Sequence, residues 1–198
     1  MIIAKPRCAE LGFVGDIEKV VAPAVGYLVE GGPEMIKDGL YAKRLGYVSR
    51  EESMNSIPSP DRYIAGWHTS LAILPPDMYK EEHPLWYFGE SQLCLTAGGN
   101  AEERDAMLAE VARIMYEGLK SDSNLWNISF SQMDGSSFCS CTACSEIYTK
   151  YSSRSSVWLI ACNELVERVD QLFANDGITR EYRINFFVYS STQDCPVM

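Results

Sequence analysis

Leu125-Trp-Asn-Ile-Ser-Phe-Ser-Gln-Met-Asp-Gly135, continued by Ser136-Ser-Phe-Cys-Ser-Cys-Thr-Ala-Cys144, is the stretch whose reading decides the fold. Leu125, Trp126, Ile128 and Phe130 are bulky, and Asn127 and Ser129 fit a pleat between them, so the spacing predicts a strand over 125–131. Asp134-Gly135 is a turn dipeptide and stops it. Three cysteines follow, then a helix. A strand that runs into an acid, a polar loop and a helix is where α/β proteins place functional groups. The plain alternative is that Asp134 only caps its turn.

Working outward, the pattern alternates. Upstream, Asn100 with Glu103 three positions on predicts a capping box, with Asn in place of Ser or Thr. The helix it opens buries Met107, Leu108, Val111, Ile114, Met115 and Leu119. Downstream, Val157, Trp158, Leu159, Cys162, Leu165, Val166, Val169, Leu172 and Phe173 form a second apolar stripe, closed by Asn175-Asp176-Gly177. Tyr182 to Tyr189 reads as a further strand, and Tyr63 to Thr69 as an earlier one ending at His68. The order strand, helix, strand, helix, strand implies parallel units. The expected class is α/β: a partial (β/α)8 TIM-barrel-like arrangement of parallel strands alternating with helices, or else a small open sheet. A closed barrel needs eight strands and typically ~250 residues. A single domain over 1–198, a fragment of a longer barrel, is therefore expected.

The first third is less patterned. Ile17 to Leu28 has helical character interrupted by Pro23, and Gly31-Gly32-Pro33 breaks the chain. Pro33 opens a helix through Met35, Ile36, Leu40 and Leu45 that Gly46 ends. Residues 49–61 read as a loop. Pro75-Pro76 begins a connector carrying Tyr79, His83-Pro84 and Trp86-Tyr87-Phe88.

Composition is that of a globular chain, with 46% hydrophobic and 22% charged residues. A formal net charge of -10 argues against nucleic acid as the main partner and suits neutral ligands, cations or sugars. No apolar run reaches the ~18 residues of a membrane span. Met1 to Arg7 lacks the apolar core of a signal peptide. Seven cysteines cannot all pair within one chain. Cys139, Cys141 and Cys144 offer three thiolates within six residues. Four tetrahedral sulfurs make a closed structural zinc site. A disulfide, or unlinked thiols, are the rival readings. Cys141-x-x-Cys144 has no redox-fold context around it. Cys162 reads as a small core residue, and Cys8 and Cys195 show no pattern.

Several segments, taken together, resemble a known family. They are His68-Thr69, Leu74-Pro75-Pro76 with Tyr79, His83-Pro84, Ser91-Gln-Leu-Cys-Leu-Thr96, Ser129 to Gly135, the Cys139-x-Cys141-x-x-Cys144 run, and Phe187-Val-Tyr189 followed by Ser190, Thr192 and Pro196. They resemble a bacterial domain-of-unknown-function family, common in polysaccharide-degrading gut bacteria and similar to TIM-barrel glycoside hydrolases, notably the alpha-glucuronidases. The resemblance covers about residues 38–198. Where family members usually have Glu after His-Pro, this chain has Leu85. The resemblance implies a carbohydrate partner, no organic cofactor, and a periplasmic or extracellular location. Glycosidic cleavage uses two carboxyl groups. Asp134 is the candidate catalytic acid or base. Glu90 and Asp194 read as solvated loop residues, which leaves the second carboxyl to the rest of a longer chain. His68, Gln132 and Tyr189 would hydrogen-bond the sugar and Trp67 would stack on it, with Trp86 and Tyr87 assigned to core packing. Cys94, in the family-like Gln-Leu-Cys segment, is the candidate fourth zinc ligand, or one half of a disulfide. A non-catalytic carbohydrate-binding domain and a metal-stabilised interaction module are the alternative functions.

Overall fold

The computed structural model describes residues 68–198 except 124, 126, 136, 187–191, 193 and 198, together with the backbone of five short strands nearer the start. Those strands are β1 (Gly12–Phe13), β2 (Leu28–Glu30), β3 (Tyr47–Val48), β4 (Ser56–Pro58) and β5 (Tyr63–Ala65). β1, β2 and β3 form a parallel sheet in that order, with Phe13 opposite Val29 and Val29 opposite Tyr47. β4 and β5 form an antiparallel pair, Ser56 opposite Ala65. Two expectations change here. Residues 49–61 contain a strand rather than only a loop. The strand expected to run from Tyr63 to His68 is Tyr63–Ala65, and its partner is antiparallel. Residues 59–62 are too few for a parallel crossover and suffice for a hairpin. Leu28, expected at the end of a helical stretch, begins β2. The predicted helix from Pro33 to Leu45 lies outside the described residues.

The connector resolves into α1 (Ser70–Ile73), α2 (Pro76–Tyr79), a 3-10 turn at Pro84–Trp86, β6 (Tyr87–Phe88), β7 (Gln92–Leu93) and a second turn at Ala97–Gly99. Pro76 occupies the first turn of α2, where a missing N–H costs nothing. β6 and β7 are antiparallel. Trp86 is buried, stacked on His83 with ring centroids 4.0 Å apart, and its Nε1 donates to the Glu103 carbonyl at 3.0 Å. Tyr87 is buried and donates to the Leu74 carbonyl at 3.1 Å. Both are core residues, as expected.

Two helices carry the core. In α3 (Ala101–Ser121), the Asn100 side chain accepts from the Glu102 and Glu103 backbone N–H groups, each at 3.1 Å. The cap is half a box, because the Glu103 carboxylate turns to His83 Nδ1 at 3.0 Å. Met107, Leu108, Val111, Ile114, Met115 and Leu119 are all buried, as the spacing predicts. Beyond α4 (Thr142–Tyr151), Ser152 takes a left-handed φ of 52° and turns the chain into α5 (Ser155–Asn175). Its buried stripe includes Trp158, Cys162, Leu165, Val169 and Phe173. Gly177, at φ 67°, ends it, with the Ile178 N–H returning to the Phe173 carbonyl at 2.9 Å. α3 lies against α5, and Arg104 grips Glu164 across them with two hydrogen bonds of 2.7 and 2.8 Å.

The opening stretch forms β8 (Asn127–Ser129), parallel to β9 (Arg183–Asn185), with Ile128 opposite Ile184. The Phe130 N–H extends the ladder to the Asn185 carbonyl at 2.8 Å. α4 and α5 make the crossover between these strands, as a parallel pair requires. The alternation of side chains sets the two faces. Ile128 and Phe130 are fully buried, and Phe130 meets Trp158 at 5.3 Å. Ser129 and Ser131 face the other way and are buried in a polar layer. The architecture is thus mixed helix and strand, with small parallel and antiparallel sheets. No closed barrel forms among the described residues; what stands of the expectation is the α/β class, with parallel pairing in β1–β2–β3 and in β8–β9.

Candidate functional site

The polar face beyond β8 is built by hydroxyls and amides from separate segments. Thr69 Oγ1 donates to the Ser129 carbonyl at 2.7 Å and accepts from the Ser131 N–H at 3.1 Å. The Ser70 N–H donates to the Ser131 carbonyl at 3.0 Å. Ser129 and Ser131 hydroxyls lie 2.9 Å apart. Gln132 Nε2 donates to Thr192 Oγ1 at 2.8 Å. These residues are buried, so each bond is made in a low dielectric and holds its neighbours in one arrangement.

His68 and Asp134 stand on this layer. His68 Nδ1 donates to the Gln132 carbonyl at 2.7 Å. A carbonyl only accepts, so this bond puts a proton on Nδ1 and leaves Nε2 as the acceptor of the neutral ring. Nε2 is 3.9 Å from Asp134 Oδ1, and the Asp134 side chain is 76% exposed. Asp134 Oδ1 also accepts from the Gly135 N–H at 2.9 Å, and Gly135 has a φ of 112°. The turn-capping reading of Asp134 therefore holds alongside its place beside His68. Gln132 contributes its backbone to His68 and its side chain to Thr192. It is buried, which sets it beneath the part-buried His68 and the exposed Asp134. Tyr189 and Trp67 lie outside the described residues. Glu90 is exposed and paired with Lys80, as a solvated loop residue.

The four cysteines come together. The Sγ atoms of Cys94, Cys139, Cys141 and Cys144 all lie within 4.8 Å of one another. Cys94 is 3.6 Å from Cys141 and 3.9 Å from Cys144. A sulfur–sulfur bond is about 2.05 Å long, so these contacts are not disulfides. They fit a different figure. Zinc–thiolate bonds of about 2.3 Å in a tetrahedron place the sulfurs about 3.8 Å apart.

Local chain geometry aims these sulfurs. Cys141 caps α4 and accepts from the Cys144 N–H at 3.4 Å. Cys94 accepts from the Gly98 N–H at 3.2 Å. Ala97, Gly98 and Gly99 have φ of 45°, 65° and 94°, a left-handed run that costs an L-residue such as Ala97 energy. Thr96 Oγ1 sits 3.1 Å from Cys144 and 3.3 Å from Cys141. These N–H and hydroxyl groups are donors suited to thiolates.

The Cys94, Cys139 and Cys144 thiols shift one another. Hydrogen bonds from Cys139 and Cys144 hold the Cys94 thiol far below its ordinary range, against burial. Hydrogen bonding to Cys144 and Cys94 drives Cys139 strongly up. For Cys144 the bond with Cys139 pulls down, but the bond with Cys94 and burial outweigh it and push the thiol up to about 12. Burial, reinforced by the neighbouring Cys144 and Cys139, raises Tyr148 above its usual value, so its phenol stays neutral beside the cluster. Negative charge in so buried a group calls for a cation. Cys162 is buried on α5, as expected, and Cys195 is exposed.

Sequence reasoning missed Thr96, Gly98, Thr69 and Gln92 as parts of the site. Gln92 is buried, donates from Nε2 to the Met133 carbonyl at 2.9 Å and accepts from the Met133 N–H at 3.1 Å. Gln92 and Thr96 lie in the quoted Ser91–Thr96 motif, the one signal that marks them. No helix among the described residues is long and apolar enough to cross a membrane.

Among known proteins, the family model described as a domain of unknown function (DUF4838) matches residues 41–198. No curated protein and no solved structure matches the chain.

Proposed function

The chain belongs to the DUF4838 domain family, and from that premise we propose that it is a carbohydrate-active α/β domain pinned by a structural zinc ion. Cys94, Cys139, Cys141 and Cys144 are the zinc ligands. Four thiolates close the coordination shell, so the ion holds chain segments together and leaves no position for substrate. It ties the 97–99 turn to the start of α4, next to the loop that carries Asp134.

The carbohydrate reading rests on one observation: the part-buried His68 brings Nε2 to 3.9 Å from Oδ1 of Asp134, whose side chain is 76% exposed, above a buried polar layer. Such a pair is complementary to the hydroxyl donors of a sugar. Asp134 is the carboxyl group that exchanges a proton with the glycosidic oxygen or with water. His68, set by Gln132, orients it and binds a neighbouring hydroxyl. Hydrolysis needs a second carboxyl beside Asp134. The family that the His68-Thr69, Ser129–Gly135 and Ser91–Thr96 motifs resemble is similar to TIM-barrel glycoside hydrolases, notably the alpha-glucuronidases, which supports this reading and makes uronic-acid-bearing oligosaccharides a substrate class to test.

Calorimetric titration of the zinc-loaded chain with neutral and uronic-acid oligosaccharides, beside an assay of reducing-end release, tests the proposal. Binding and release that both depend on Asp134 support it. Binding without release makes this a carbohydrate-binding domain. Neither binding nor release would sink the carbohydrate reading and leave a metal-stabilised interaction module.

A further inference from the structure

We infer that Gln92 is a positioning residue that couples the four-cysteine metal site to the loop bearing Asp134. The inference rests on the zinc reading above and adds what the ion does for the neighbouring site. The segment Gln92-Leu93-Cys94 serves both centres. At one end, the buried Gln92 amide makes both backbone hydrogen bonds of Met133, the residue before Asp134. At the other, Cys94 Sγ sits in the cluster, 3.6 Å from Cys141. The segment between is fixed: Leu93 pairs with Tyr87, and the Cys94 N–H donates to the Trp86 carbonyl at 2.8 Å. Trp86 is anchored in turn to the Glu103 carbonyl on α3.

The loop leaving Met133 therefore starts at Gln92 and ends at cysteines held with Cys94. With metal bound, both its ends are tied to one rigid tripeptide. With metal removed, the cysteine end of the loop loses that tie, and the loop is held at Met133, where Asp134 meets His68, and by the Phe138 ring against Arg154 at 5.3 Å. Closing a short loop at both ends restricts the residues within it far more than closing it at one. A side-chain amide is the group that can match a backbone N–H and C=O at once, which is why Gln stands at position 92.

The test uses the full chain and zinc or cobalt(II) alone as the probe. Cobalt thiolate absorption reports metal binding, and amide exchange at Met133 reports the loop. Exchange at Met133 is expected to slow about tenfold or more on zinc binding. In Gln92→Ala, cobalt absorption should persist while that zinc-dependent protection is lost. Gln92→Glu, which keeps the acceptor for the Met133 N–H, should restore part of it. Absence of thiolate absorption would overturn the zinc reading and the coupling with it. Metal binding with unchanged Met133 exchange in the unaltered chain would overturn the coupling alone, even where the variants fail to fold. Full zinc-dependent protection in Gln92→Ala would remove Gln92 from the path.

Discussion

Cys94 Sγ lies 3.6 Å from Cys141 Sγ, although 47 positions separate them in the chain. That distance joins the turn after β7 to the cap of α4, and it matches the edge of a zinc–thiolate tetrahedron rather than a disulfide.

The chain should bind one zinc ion, and a chelator should lower its melting temperature. Free zinc at about a thousand times Kd adds about 4 kcal/mol to the folded state. For a domain of this size that is on the order of 10 °C. Cys94→Ser should lose the ion and the increment together. Elemental analysis beside thermal melts checks this. Equal melting temperatures with and without chelator would remove zinc from the account of stability.

Metal affinity should strengthen as pH rises. Cys139 is driven well above its ordinary value and Cys144 to about 12, so both hold protons near neutral pH that zinc must displace. Cys94, held far below, contributes none. Displacing at least these two protons makes affinity change by at least about 100-fold per pH unit, weakening toward acid. Chelator competition between about pH 6 and 8 measures the slope. A flat profile would mean that the thiols are already ionised in the free protein.

Asp134→Asn should reduce any glycosidic turnover by at least about 100-fold. The side chain is 76% exposed, so stability should move by less than about 1 kcal/mol. Assay and denaturant titration separate the two effects. Unchanged turnover in this variant would exclude Asp134 from proton transfer.

Gly98→Ala should destabilise the metal-bound protein by about 1–2 kcal/mol. The added Cβ would meet Leu85 Cδ2 at 3.7 Å, an ordinary contact. The cost comes from φ 65°, and any relaxation moves the N–H that donates to Cys94. Cobalt titration of the variant should show weaker binding. An unaltered affinity would show that the turn adjusts without disturbing the sulfur.

Much of the fold was legible in the sequence because it is set by local periodicity. The apolar stripes of α3 and α5, the Asn100 cap, the Gly177 stop and the core of β8 each depend on residues a few positions apart. β4 escaped because Ser56-Ile-Pro58 lacks a strand pattern of its own and is defined by Tyr63–Ala65 pairing back onto it. The capping box was read in full and is half made, because His83, from a separate turn, competes for the Glu103 carboxylate.

By itself, the sequence determined the order of helices and strands, the acid at the turn beyond β8, and three thiols spaced to hold a metal. Side-chain alternation, helical repeat and turn chemistry are properties of neighbouring residues, so they are written locally. Tertiary structure decided between the two readings left open for Cys94 by setting it in the cluster, and it alone decided that Thr96 and Gly98 face the cluster's sulfurs, that His68 meets Asp134, and that Gln92 holds Met133. Each of those contacts joins segments brought together by burial of α3 and α5 against β8, and no local rule records which distant partner a side chain will meet.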